Sequence, residues 1–185
     1  SQYSGYKTPL GVAPIDQGFS RALLSVSPQK KWISQAEAQE HSLENQIPFL
    51  QAVLKDFQMV LVFMGEQDYQ TCSHLAGALA QLLAGSADTL ILASTDLSHF
   101  HTDAQARTLD AEFTKHVRDF APEALAKAVT SGSCEACGAG PAITAMLAAR
   151  ELGANRSIVL NYATSGDVTG ERRQVVGYLA AALLK

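Results

Sequence analysis

Two apolar runs with a helical stretch between them constrain this chain more than any other feature of its sequence. "MVLVFMG" (residues 59–65) is apolar until it is closed by a glycine, and "TLILAS" (89–94) is mostly apolar and runs into a Thr-Asp. Strands that are apolar along their length need cover on both faces, the setting of a parallel sheet between helices. Between the runs, "YQTCSHLAGALAQLLAG" (69–85) reads as a helix of small and apolar residues ended by Gly85. The alternation continues on either side. "QGFSRALLSV" (17–26) predicts a short helix after a Gly- and Pro-rich start with a short strand near residues 10–13. "HSLENQIPFLQAVL" (41–54) sets Leu43, Ile47, Leu50 and Leu54 at helical spacing, and Pro48 inside it predicts a kink or a break. An amphipathic helix follows over 103–117, Pro122 opens a short one at the position proline favours, and 141–152 forms another ended by Gly153. "SIVLNYAT" (157–164) and "VVGYLAAALL" (175–184) close the chain as strands. Strands alternating with helices predict an α/β fold over 1–185: a single domain with a mixed, mostly parallel sheet and helices on both faces.

Charge and cysteine content narrow the function classes. A net charge of -4 and no basic patch point away from nucleic acid and anionic membranes. No apolar run approaches the roughly 18 residues that span a bilayer, and "SQYSGYKTPL" lacks the basic-then-apolar pattern of a signal peptide. Three cysteines, an odd number, fit a reducing cytoplasm better than a disulfide framework.

The residues that could carry chemistry sit where elements end. In an open α/β sheet, ligands bind outside the carboxyl ends of the strands. "LASTDLSHFH" (92–101) puts Asp96 and His99 just past such an end, with His101 beyond. A carboxylate and an imidazole there can act as acid, base or metal ligands; Asp96 can equally cap the following turn. His41 and Glu44 in "EHSLE" are three apart, hence neighbours on one helical turn, either an acid/base pair or a helix start. Cys134 and Cys137 form one CxxC with no second pair, too little for a structural zinc site. Cys137 precedes Gly138 and a helix start, where a thiolate is stabilised; an ordinary buried cysteine is the alternative. Asn161 and Tyr162 end a strand at the same sheet edge and can orient a ligand, though both are common in turns. Cys72 and His74, on a helix of mixed polarity, read as structural.

Taken in order, "YKTPLG" (6–11), "EHSLENQIPFL" (40–50), "STDLSHF" (94–100), "CGAGPAITAML" (137–147), "LNYATSGD" (160–167) and "GYLAAAL" (177–183) resemble the Memo family, labelled AmmeMemoRadiSam system protein B in its bacterial and archaeal branch. The family is similar to class III extradiol non-haem iron dioxygenases, which implies a three-layer fold and a metal-site pocket at the sheet edge. The resemblance implies Cys137 as a metal ligand and His99 as the acid/base beside the metal. It also implies that His41, Glu44 and Asp96 line the same pocket. Iron or copper is the implied cofactor, since a soft thiolate with two imidazoles suits either. Family members also carry upstream "APHAGY"-like and "GPSHH"-like blocks, which supply two histidines that complete the metal site. This chain has neither, and its first residues already match the middle of the pattern. The resemblance therefore implies a fold incomplete at its N-terminus, left with a surface that a complementing N-terminal half or a second copy would cover.

Three functions compete. The first is metal-dependent oxidation of dioxygenase type, with Cys137 as ligand, His99 as acid/base and Asp96 orienting His99. The second is a non-catalytic pocket that binds a peptide or small ligand. The third is a structural role as one half of a split fold.

Overall fold

In a computed structural model that describes residues 4–27 and 41–185, the backbone separates into two units, Ser1–Gly65 and Glu66–Lys185. The first opens on an antiparallel hairpin. Strands β1 (Gly5–Thr8) and β2 (Gly11–Pro14) pair from Gly5 opposite Pro14 to Thr8 opposite Gly11. Helix α1 (Gln17–Val26) starts at Asp16, whose side chain accepts the Phe19 N–H at 2.8 Å and so satisfies one of the donors a helix start leaves free. Residues 42–46 form turns, and helix α2 (Ile47–Val53) begins only at Ile47. Pro48 lies in its first turn, where a missing N–H does no harm, so the predicted break falls at the helix start.

The second unit runs α3 (Tyr69–Leu83), β3 (His99–His101), α4 (Asp103–Arg118), α5 (Pro122–Thr130), α6 (Ala139–Glu151), β4 (Arg156–Thr164), α7 (Ser165–Thr169) and β5 (Val175–Leu184). Helix α6 packs on α3 and buries Ile143 through Ala148 in an unbroken series, the signature of a helix enclosed on all sides. Helix α4 is held at its start by a reciprocal capping box between Thr102 and Gln105 and lays Ala106, Phe113 and Val117 against the sheet. Among these apolar neighbours lies Asp110, fully buried. Its carboxylate accepts the Ser98 N–H at 3.0 Å and the Tyr162 hydroxyl at 2.7 Å. The β5 backbone approaches it at Gly177, where any side chain would overlap the carboxylate.

The α/β class holds, but the pairing differs from the expected mostly parallel sheet. The order in the larger sheet is β3–β5–β4, and both of its pairings are antiparallel. For β4 and β5 the reason is connection length. Between β4 and β5 lie only the short α7 and a turn, roughly ten residues, whereas a parallel crossover takes a dozen or more. The two apolar runs that predicted parallel strands join no ladder among the described residues. Residues 59–65 contribute one parallel bridge, Ile15 to Met59. Residues 89–94 form no strand, and Leu90 and Leu92 are 72% and 46% exposed. No helix among the described residues is long and apolar enough to cross a membrane.

Candidate functional site

Three of the residues singled out by sequence meet where the 89–94 run ends. The loop before α6 and the segment leading into β3 are tied backbone to backbone, the Cys137 N–H donating to the Asp96 carbonyl at 3.2 Å. The Asp96 N–H in turn donates to the Cys137 sulfur at 3.3 Å. The Asp96 carboxylate faces His99, with Oδ2 3.6 Å from Nε2. Cys137 is exposed and stands just before the N-cap of α6, where the helix dipole favours negative charge. Its CxxC partner is different in kind: Cys134 is buried, and burial pushes its thiol up to about 11. Cys72 is also buried, its sulfur 3.5 Å from the Gly140 carbonyl, and burial raises its thiol as well.

Strand β3 is bent at the site. Phe100 takes a positive φ of 63° and is 76% exposed, and the ladder shifts register between His99 and His101. A bulky side chain in the left-handed region is strained by about 1–3 kcal/mol, and such strain and bulges gather at functional sites. The bulge sends the two histidines to different carboxylates. His99 faces Asp96, while His101 Nε2 lies 2.9 Å from Glu135, two residues before Cys137. His101 was visible as an i, i+2 neighbour of His99; Glu135 carried no signal. An open groove beside His101 is lined by Ala104, Gln105, Thr108 and Leu109.

His41 and Glu44 belong to the first unit and form their own cluster. His41 Nδ1 is 2.7 Å from Glu44 Oε1, and the Tyr6 hydroxyl donates to Oε2 at 2.9 Å. The bonds from His41 and then Tyr6 hold the Glu44 carboxyl below the usual range. Tyr6 was not among the candidate residues, although "YKTPLG" was among the quoted motifs; a tyrosine opposite a carboxylate is not legible without the fold.

Asn161 and Tyr162 occur together on β4, just past a register shift between Val159 and Asn161. Asn161 is exposed. The Tyr162 hydroxyl is engaged by buried Asp110, and burial and then that bond raise its proton affinity. Beside it runs an ion network in which Arg107 bonds Asp103 and, through one nitrogen, both oxygens of Asp167. Arg172 reaches the same two aspartates. The Arg107 bond, followed by that from Thr164, draws the Asp103 carboxyl down to about 2.

The implied iron or copper requires several donors converging on one point, and protein metal sites use three or four. Among the described residues no group of three or more His, Cys, Asp or Glu side chains is placed to hold an ion. Cys137 offers one soft donor, its sulfur already accepting an N–H. The described residues therefore do not fit a complete iron or copper site.

Comparison with known proteins agrees with the sequence motifs. A family model described as "Memo-like protein" matches residues 1–182. Relatives include a "MEMO1 family protein" of Methanobrevibacter smithii, 36% identical over 92% of this chain and 61% of its own length. Another, from Methanopyrus kandleri, is 34% identical over 95% of this chain and 62% of its own. A third, from Thermotoga petrophila, is 33% identical over 96% and 63%. The chain thus spans somewhat over three-fifths of the length of the curated relatives it matches, and it belongs to the Memo-like protein family.

Proposed function

We propose that this Memo-like chain carries part of a metal-dependent redox site of the extradiol-dioxygenase type, centred on Cys137, Asp96 and His99. The observation that carries this reading is the paired tie between Asp96 and Cys137, together with the imidazole facing the same aspartate. Cys137 would be a soft donor suited to iron or copper. His99 would hold or move a proton, with Asp96 setting its orientation. Asn161 would add contacts to substrate, and Tyr162 would stiffen the strand beside it. The other metal donors would come from outside the described residues, in a complementing segment or a second copy. Three free cysteines suit a reducing compartment such as the cytoplasm.

A second reading is favoured by the apolar surface next to the site. Leu90 and Leu92 are exposed on the segment that leads into Asp96, which suits a peptide or small apolar ligand bound without reaction. Titration of the chain with ferrous and cuprous ions separates the two. Uptake lost in Cys137→Ser supports the redox reading. Uptake that is indifferent to Cys137 removes it and leaves the binding reading.

A further inference from the structure

Gln67 was not among the candidate residues, yet its side chain holds the Cys137 loop at both ends. Its amide nitrogen donates to the Cys137 carbonyl at 3.0 Å, and its oxygen accepts the Gly140 N–H at 2.7 Å. That second bond satisfies one of the donors left free at the start of α6, a helix whose N-cap residue, Gly138, has no side chain to do so. The fit is close: a side chain at 140 would meet Gln67 Cβ and Cγ at 2.8 Å, so only glycine lets the amide reach the backbone. From the other side, Thr95 Oγ1 accepts the Gly138 N–H at 2.8 Å and donates to the Asp96 carbonyl at 2.8 Å. The backbone on both sides of Cys137 is thereby fixed by two side chains from segments far away in sequence, and its sulfur is held where the Asp96 N–H can reach it.

We infer that Gln67 and Thr95 are positioning residues for Cys137: they fix the backbone on both sides of it and so set where its sulfur stands, with Thr95 Oγ1 also 3.9 Å from that sulfur. The inference rests on the reading of Cys137 as the working donor, but its test needs no metal. The Cys137 N–H donates to the Asp96 carbonyl, so its exchange with solvent reports how tightly the loop is held. The experiment measures native-state hydrogen exchange of the Cys137 amide at neutral pH, with folding checked by circular dichroism. Gln67→Ala is expected to speed exchange of that amide about fivefold, the change in opening equilibrium that follows loss of one ordinary hydrogen bond. Thr95→Val should speed it by a similar factor and Thr95→Ser should not, which keeps the test decisive if Gln67→Ala fails to fold. Rates within twofold of wild type in folded Gln67→Ala and Thr95→Val would overturn the inference. Rates that shift as expected while metal uptake ignores Cys137 would sustain the positioning role and overturn only the redox reading.

Discussion

Replacing Tyr162 by phenylalanine separates a residue that builds the fold from one that touches a ligand. The substitution keeps the ring and removes one hydroxyl, which donates to Asp110 at 2.7 Å. Asp110 is fully buried and keeps the Ser98 N–H at 3.0 Å. Leaving a buried acceptor short of a partner costs about 1–3 kcal/mol. For a chain of this size, that lowers the midpoint of thermal unfolding by roughly 2–12 °C. The effect also depends on pH in a defined direction. Burial, and then the bond to Asp110, make the folded state hold the Tyr162 proton more tightly than the unfolded state does. The contribution is therefore complete below the unfolded value of about 10 and is lost as pH rises beyond it. Urea titrations followed by circular dichroism should show a gap between wild type and Tyr162→Phe that is widest near neutrality and narrows above about pH 10. A loss below about 0.5 kcal/mol, the range of an ordinary surface change, would refute the structural assignment and return Tyr162 to the ligand-binding residues.

Three further outcomes follow from the geometry. Asp103 is held at about 2 against 3.8 for a free side chain, so its stabilising contribution is present above 3.8 and fades as pH falls toward 2; Asp103→Asn should flatten that part of an acid-unfolding curve. Glu44 is shifted the same way by His41 and Tyr6, so Tyr6→Phe should raise the titration midpoint of the Glu44 carboxyl seen by carbon NMR, with little change in overall stability. Leu90 and Leu92 are exposed on a run without a sheet partner, so the chain should self-associate or capture a complementing segment there; sedimentation should show association that Leu90→Lys with Leu92→Lys reduces by at least severalfold.

Much of the fold was legible because helix signals are local. Gly85, Pro122 and the Asp103 start announced helices that lie within a few residues of their expected bounds. The strands were harder. "VVGYLAAALL" and "SIVLNYAT" were read as strands correctly, but whether they pair parallel or antiparallel is set by the short α7 connection between them. Residues 59–65 and 89–94 were apolar enough to read as buried strands, yet apolar content reports only that a run seeks cover, not which partner supplies it. At the candidate site the chemistry-bearing residues Asp96, His99 and Cys137 stood out by type and motif. What escaped were the residues that hold them. Gln67 and Thr95 act through hydrogen bonds to backbone some forty to seventy residues away, and Asp110 looks in sequence like one more polar position on a helix.

The central claim is that Cys137, Asp96 and His99 act as one site, and a double-mutant cycle on cuprous-ion binding tests it most directly. Binding is measured for the wild-type chain, His99→Ala, Cys137→Ser and the double variant. The account predicts that each single change weakens binding about tenfold or more and that the two losses are coupled, the double variant falling short of their sum by about 1 kcal/mol or more. Losses that add within about 0.5 kcal/mol, or a His99→Ala chain that binds as wild type does, would contradict a shared site.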